Sequence, residues 1–346
     1  MAHRLVRSPQ YFSRSTSNSS VNSSTFEIKV NNVVLYDLIK SASPNVYCTF
    51  EWAELVRDYI DVELGSSSFP PTQNAVDVDL TQKFWSGTNG TGSLLATNTE
   101  SHYAFDGYGD FYEGSNPDIP NSAAFPAINN YTQAGTSSSG TKTYTIYAGK
   151  NTTIRVPQVN TNGTITYISS GYNSTSMTVG GETINIERKD CTKYTASSTG
   201  YWNAISITGF VVWFVNKYGA IQQEVFNLKS VQDIKAKRQQ YNNNIIDSQG
   251  VYDVNKHTKQ NFNIIGNQSI KLNSFYVPEY YSKVYEEMLL SEKIWIRLRI
   301  PSTGNFQNVP INIKTSRFNY KTNLNEKLIQ YEFNFDMSFD FINNVR

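Results

Sequence analysis

The tightest group of oxygen donors in the chain is Asp106-Gly-Tyr-Gly-Asp110, followed by Glu113. Carboxylates on a glycine-rich loop are the chemistry of a calcium site, where about six to eight oxygens converge on one ion. The spacing is not that of an EF-hand loop, and beyond Glu113 no third carboxylate stands near. A turn carrying solvated acids accounts for the same residues. Glu54 and Asp58 form a second pair, four residues apart. Paired carboxylates serve acid–base or metal chemistry, but on the polar side of an amphipathic stretch they read as a solvated face. Trp85, Tyr108, Phe111 and Tyr112, with the neighbouring aspartates, would make an aromatic platform for a sugar if the fold gathered them. His3, His102 and His257 are scattered, and no HExxH, GxSxG, P-loop or strand-linked GxGxxG is present. Cys48 and Cys191 lie 143 positions apart with no CxxC and read as free thiols; nothing in the spacing supports a disulfide. The expectation is a protein with no catalytic, cofactor-binding or metal-binding residues, and no enzyme. The enzymatic alternative is a glycan hydrolase using Asp106 or Asp110, since glycosidases need only two carboxylates.

Composition narrows the remaining classes. The 346 residues are 39% apolar, 14% aromatic and 17% charged, with a net charge of +1. A nearly neutral chain has no bulk field to attract nucleic acid or a membrane. Local charge is less even. Residues 1–24 hold Arg4, Arg7 and Arg14 and no acid, and Lys235, Lys237 and Arg238 lie close together. Tyrosines beside those three suggest a nucleic-acid patch, but a solvated, extended linker over 229–259 is the expectation. The longest apolar run, Phe210–Val215, is far too short to cross a bilayer. The first twenty residues have no apolar core of a signal peptide. We therefore expect a soluble chain made in the cytoplasm, with neither membrane nor specific nucleic-acid binding.

The elements follow from hydrophobic period. Ile329, Tyr331, Phe333, Phe335, Met337, Phe339 and Phe341 alternate with Gln330, Glu332, Asn334, Asp336, Ser338 and Asp340. A period of two requires a strand, here roughly 43 Å long at about 3.3 Å per residue. Five of the seven inward groups are aromatic, so that face must be covered, and a partner protein is the expected cover. Ile294, Ile296, Leu298 and Ile300 give a second alternating strand, and Val309, Ile311 and Ile313 a third. Phe262–Leu272 reads as a strand, and Ile205–Val215 as a doubly buried one that turns at Asn216–Gly219 and returns over Ala220–Leu228. Tyr281, Val284, Tyr285, Met288 and Leu289 form a helical stripe from Pro278 to Leu290. Glu51–Ile60 reads as a helix capped by Thr49. Short alternating pieces recur between Lys142 and Ile186.

The expected fold is mainly β, of the α+β kind. A mostly antiparallel C-terminal sheet is covered by one helix, and a loop-rich β-lobe is inserted. Residues 1–24 would be a polar, basic arm, disordered or ordered only on a neighbouring subunit. Residues 25–64 and 201–346 would form the core module, and 65–200 the inserted lobe.

The C-terminal half also carries a resemblance. The runs are Ser269-Ile-Lys-Leu-Asn273, Val277-Pro-Glu-Tyr280, Glu287-Met-Leu-Leu-Ser-Glu-Lys-Ile-Trp295 and Val309-Pro-Ile-Asn-Ile-Lys314. Tyr320-Lys-Thr-Asn-Leu-Asn-Glu-Lys-Leu-Ile-Gln-Tyr331 and Phe341-Ile-Asn-Asn-Val-Arg346 complete the set. Residues 205–346 resemble the C-terminal module of neck and tail structural proteins of tailed bacteriophages, especially the crAss-like phages of Bacteroidetes. The resemblance implies a virion component that forms a ring or tube segment with copies of itself and binds other neck or tail proteins. It brings no catalytic residues. A receptor- or carbohydrate-binding tail module is the alternative.

Overall fold

In the computed structural model the described residues are 1–346 except 66–68, 120–122, 135–139, 190–208, 300–303, 318, 321–328 and 341–346. The N-terminal third contains β1 (Ala2–Leu5), β2 (Tyr11–Arg14), β3 (Ser23–Val30), β4 (Val33–Ser41), β5 (Cys48–Glu51), α1 (Ala53–Arg57), β6 (Gln73–Asn74), β7 (Val76–Trp85), β8 (Leu94–Phe105) and β9 (Asp118–Ile119). The middle contains β10 (Phe125–Pro126), β11 (Tyr131–Gln133), β12 (Lys142–Gly149), β13 (Arg155–Val159), β14 (Thr164–Ser169), β15 (Ser176–Val179) and β16 (Glu182–Lys189). The C-terminal part contains β17 (Phe210–Val215), β18 (Ile221–Phe226), β19 (Val231–Asn242), β20 (Lys259–Asn273), α2 (Ser282–Leu289), β21 (Ile294–Arg299), β22 (Phe306–Ile313) and β23 (Glu332–Asp340). The fold is mainly β, as its alternating segments require.

The N-terminal six-stranded sheet runs β4-β3-β7-β8-β1-β9, with β1 lying parallel to β8. β2 and β5 pair beside it. Phe12, Phe26 and Phe50 stack in its core, with ring centroids 5.5 and 4.7 Å apart. This overturns the expected N-terminal arm. His3, Leu5, Val6, Gln10, Phe12 and Val21 are all buried within their own chain. Polar composition misled here because the segment supplies two short strands to a core built by others. The expected lobe boundary at residue 65 also falls. β7 and β8 are the central strands of the N-terminal sheet, and 25–64 shares that sheet's core as far as Val56, only Val62 and Leu64 joining the C-terminal one. The helix expected over Glu51–Ile60 is only Ala53–Arg57, since Thr49 and Glu51 belong to β5. Trp52 stands at its N-terminus, buried and without a side-chain cap.

The alternating pieces between 142 and 189 are strands β12 to β16, as expected. They form two four-stranded sheets, β10-β13-β14-β6 and β11-β12-β16-β15. Their apolar groups, including Ile146, Val156, Ile184 and Ile186, share one core with the C-terminal sheet.

That C-terminal sheet has seven strands in the order β18-β17-β21-β22-β23-β20-β19, and every pairing is antiparallel. The final strand is shorter than its sequence pattern. Ile329 makes only an isolated bridge to Val277, and residue 341 lies outside the described part. Its inward Tyr331, Phe333, Phe335 and Met337 are buried, whereas Phe339 is half exposed. The cover is not a partner protein. Tyr285 of α2 meets Tyr331 and Phe333 at 5.2 and 5.4 Å, and Phe226 of β18 meets Phe333 and Phe335 at 6.0 and 6.4 Å. Burying each such ring contributes about 1.5–3 kcal/mol.

β18 is unusual in that all six residues are buried, three of them polar. Each polar group is answered. Gln222 donates to Asn130 Oδ1 at 3.0 Å and accepts from Asn216 Nδ2 at 3.0 Å. Gln223 accepts the Arg155 backbone N–H at 3.0 Å, which ties the C-terminal sheet to β13. Glu224 accepts hydrogen bonds from the Tyr281 and Tyr285 hydroxyls at 3.0 and 3.3 Å. Burial pushes its carboxyl up to about 8 although both tyrosines pull the other way.

Phe335→Ala is expected to lower stability by about 3–5 kcal/mol, and Phe339→Ala by less than about 1 kcal/mol; urea unfolding of both variants checks the difference. For Glu224, the folded chain keeps a proton that the unfolded chain releases above its ordinary value of 4.5. Its contribution is thus fully present below pH 4.5 and is lost as pH rises towards 8. Glu224→Gln keeps the shape without the charge. Its melting temperature relative to the parent chain should rise between pH 5 and pH 8.5, in paired calorimetry scans.

Candidate functional site

Two regions hold the residues that composition and spacing singled out: the junction between the N- and C-terminal sheets, and the long hairpin at the sheet's far edge. The junction is built on the Asp106–Glu113 loop leaving β8 and on the Asn216–Gly219 turn between β17 and β18. The two glycine-bearing segments meet backbone to backbone. Tyr108 N–H donates to the Lys217 carbonyl at 2.9 Å. A Cβ on Gly107 would lie 2.4 Å from that same oxygen, and one on Gly219 would lie 2.9 Å from the Asp106 backbone, at a φ of 76°. The glycines of the loop therefore serve close approach, not an ion.

Its acids are engaged separately. Lys217 Nζ donates to Asp110 Oδ2 at 2.8 Å and to Glu113 Oε1 at 2.6 Å. Burial alone would lower the Lys217 ammonium, but the two carboxylates outweigh it and hold its pKa above the ordinary value. Asp106 turns instead to Arg57, 3.6 Å away, and burial raises its carboxyl against the pull of Arg7 and Arg57. Glu292 receives Arg57 at 2.5 Å and Arg7 at 3.5 Å, and Lys293 reaches Asp61 at 3.0 Å. Glu287 is buried beneath, accepting from Asn129 and from the Lys217 backbone N–H, with burial raising its carboxyl to about 7. Asp106 and Asp110 thus do not converge. Among the described residues no group of three or more His, Cys, Asp or Glu is placed to hold a metal ion.

The sugar platform does not assemble as four residues. Tyr108 is half-buried with Arg7 over its ring at 5.2 Å. The pairing of Val76 with Ala104 and of Trp85 with Leu94 sets Trp85 at the opposite end of β7 from the loop, about 30 Å away. Trp85 donates to Thr25 at 3.0 Å. Only Phe111 and Tyr112 stand out together, 94% and 97% exposed. A one-turn helix displays them, closed by a capping box between Asp110 and Glu113.

The other candidates are structural neighbours. Glu54 and Asp58 are both exposed on α1 and its C-terminal flank. His102 is buried, stacks on Trp52 with centroids 5.7 Å apart, and contacts Glu100 at 3.3 Å. Burial first, then Arg4, lowers its imidazole to about 4. His3 is buried against Tyr103 and Phe105, and burial lowers its pKa too. Cys48 is buried with a free thiol; Cys191 lies outside the described residues. Among the described residues no helix is long and apolar enough to cross a membrane.

The expected linker over 229–259 is instead half of a β-hairpin. β19 and β20 pair from Val231↔Lys271 to Asn242↔Lys259, with a register shift between Lys237 and Gln239. β23 pairs with β20 only from Asn267 to Asn273. Beyond that point the hairpin has two strands and no cover among the described residues. Eleven of the twelve residues of β19 are exposed. Ile234, Tyr241, Ile246, Val251, Tyr252, Val254, Phe262 and Ile264 are each more than 40% exposed. Asp247 closes the tip turn by accepting the Gln249 and Val251 N–H groups at 2.9 Å each, and Asp253 accepts that of Asn255 at 2.9 Å. His257 lies exposed in the same tip. The sequence offered one signal for this arm: apolar residues recur through a stretch too polar to make a core. No family model, curated protein or solved structure matches the chain.

Proposed function

We propose that this chain is a structural subunit of a tailed-phage neck or tail, joined to copies of itself in a closed ring or tube segment. The uncovered β19–β20 arm is the observation that carries the reading. A two-stranded hairpin is marginal in water by itself, and an open edge bearing apolar groups is a template for association. An arm of this kind gains its stability from a neighbour. The patches of residues 269–346 that resemble phage neck and tail proteins support the same reading. Arm-to-body contacts repeated round an axis are heterologous, and they close into a ring when the rotation allows. The role is mechanical: the subunit works by packing.

The test is native mass spectrometry of the purified chain. One closed oligomer of defined copy number is expected, and a chain with residues 238–262 replaced by a short Gly-containing turn should run as a monomer. Monomers of the intact chain at every concentration would overturn the reading. A second reading, a receptor- or carbohydrate-binding tail module, is favoured by the paired display of Phe111 and Tyr112. It expects glycan-array signals that vanish in a Phe111→Ala/Tyr112→Ala variant with unchanged melting temperature.

A further inference from the structure

We infer that the arm of one copy docks along the outer edge of β4 in the next copy, beside the acidic surface that follows it. This rests on the self-assembly reading above and names its two faces.

Three observations point to β4. The first is edge geometry. Among the described residues β19 pairs only with β20, and β4 only with β3. β4 spans nine residues and β19 twelve, and six of the nine in β4 are exposed. The last strand at the other end of the C-terminal sheet, β18, is wholly buried, and the terminal strands of the remaining sheets are four residues or fewer. Two long edges each carry an unused row of N–H and C=O groups, and joining them satisfies both.

The second is apolar exposure. Val33, Val34 and Ile39 of β4 are exposed, as are Val46, Tyr47 and Tyr59 nearby. With the eight arm residues they make up more than half of the large apolar side chains exposed among the described residues, in less than a fifth of the chain. Exposed apolar groups gathered in this way mark interaction surfaces.

The third is charge. Residues 231–267 hold five Lys or Arg and three Asp. Residues 33–65 hold Asp37, Glu51, Glu54, Asp58, Asp61 and Glu63 against Lys40 and Arg57. Both cations of that segment are already occupied, Arg57 by Glu292 and Asp106, and Lys40 by the Thr49 carbonyl and the Phe50 ring. Glu54, Asp58 and Glu63 are exposed. Tyr59 first, and Asp58 after it, raise the pKa of the Tyr36 hydroxyl on β4, so both stand near that strand. Lys40 of β4 also reaches the Thr49 carbonyl at 2.6 Å, which ties the strand to the segment leading into α1. Lys235, Lys237 and Arg238 on the arm meet these acids with opposite sign.

Within one copy the base of the arm and the Asp61 end of the acidic segment are set apart. Lys293, at the start of β21, is tied to Asp61 at 3.0 Å. β19 lies four strands further across the sheet, about 20 Å away at the usual strand spacing. The base of the arm is therefore spaced across the sheet from the Asp61 contact, which suits a head-to-tail contact between copies.

The test is charge reversal in the full chain, read by native mass spectrometry at low salt. Circular dichroism and melting temperature confirm that each variant folds. Lys235→Glu/Lys237→Glu/Arg238→Glu should abolish the oligomer, and so should Glu54→Lys/Asp58→Lys/Glu63→Lys. The chain carrying all six reversals should regain at least half of the parent oligomer, a recovery that unfolding or general repulsion would not produce. Carbodiimide cross-linking of mixed light and heavy-isotope chains should join Lys235 or Lys237 of one copy to Glu54 or Asp58 of another. If the parent chain is a monomer, the assembly reading itself fails. If the parent assembles but the acidic triple variant assembles equally well, the arm docks elsewhere and this inference alone fails. An arm that retards duplex DNA while leaving the oligomer intact when reversed would also overturn it.

Discussion

An aromatic row with water on one side is the constraint around which the C-terminal half is arranged. Phe333 and Phe335 of β23, with Tyr331 just before it, lie on one face, and that face has to be hidden. The chain hides it with Tyr285 from α2 and Phe226 from β18. Both covering elements then inherit obligations. α2 must present its stripe to the sheet, so its other groups set the junction through Glu287. β18 is the end strand of the sheet and is buried along its whole length, so both of its faces meet protein rather than water. Its polar residues Gln222, Gln223 and Glu224 survive burial because Asn216, Asn130, the Arg155 N–H, Tyr281 and Tyr285 supply partners.

The junction solves a different problem. The two sheets meet through charged groups and turns, set beside a small apolar cluster that joins Leu5, Phe105 and Ile119 to Ala220 and Val159. Arg7, Arg57 and Lys217 come from different stretches of chain, and each finds acids on another element. Exposed ion pairs are individually worth little. Here the strength lies in the backbone approach that Gly107 and Gly219 permit, with the ion pairs fixing the angle.

Much of this was legible in the amino-acid order wherever period and burial agree. The alternation of β21, β22 and β23, the stripe of α2, the β17–β18 hairpin and the short strands between 142 and 189 all follow from side chains meeting one core. The failures have one physical source: a segment's composition says nothing of what its neighbours offer. Residues 1–24 are too polar to fold alone, yet Phe12 and Val21 complete a core supplied by β3, β5 and β7. The Asp106–Asp110 loop has the residues of a cation site, but Lys217, more than a hundred positions away, takes Asp110 and Glu113. Trp85 and Phe111 share a sequence neighbourhood, and the β7–β8 register holds them apart. Half of the arm was missed for the opposite reason. Phe262–Leu272 of β20 reads as a strand, but β19 is held by backbone pairing rather than by any core, so it leaves little hydrophobic period to read.

β20 is one unbroken strand of fifteen residues, from Lys259 in the arm to Asn273 deep in the sheet. Its inner part is laddered to β23 and its outer part only to β19. Antiparallel ladder bonds run across the strands, so a tug along the arm loads the inner bonds side by side, in shear. They share the load instead of opening one at a time. Strain arriving at the tip is thus carried along β20, past the register shift between Phe262 and Ile265, towards Ile270, Leu272 and the aromatic bed beneath them.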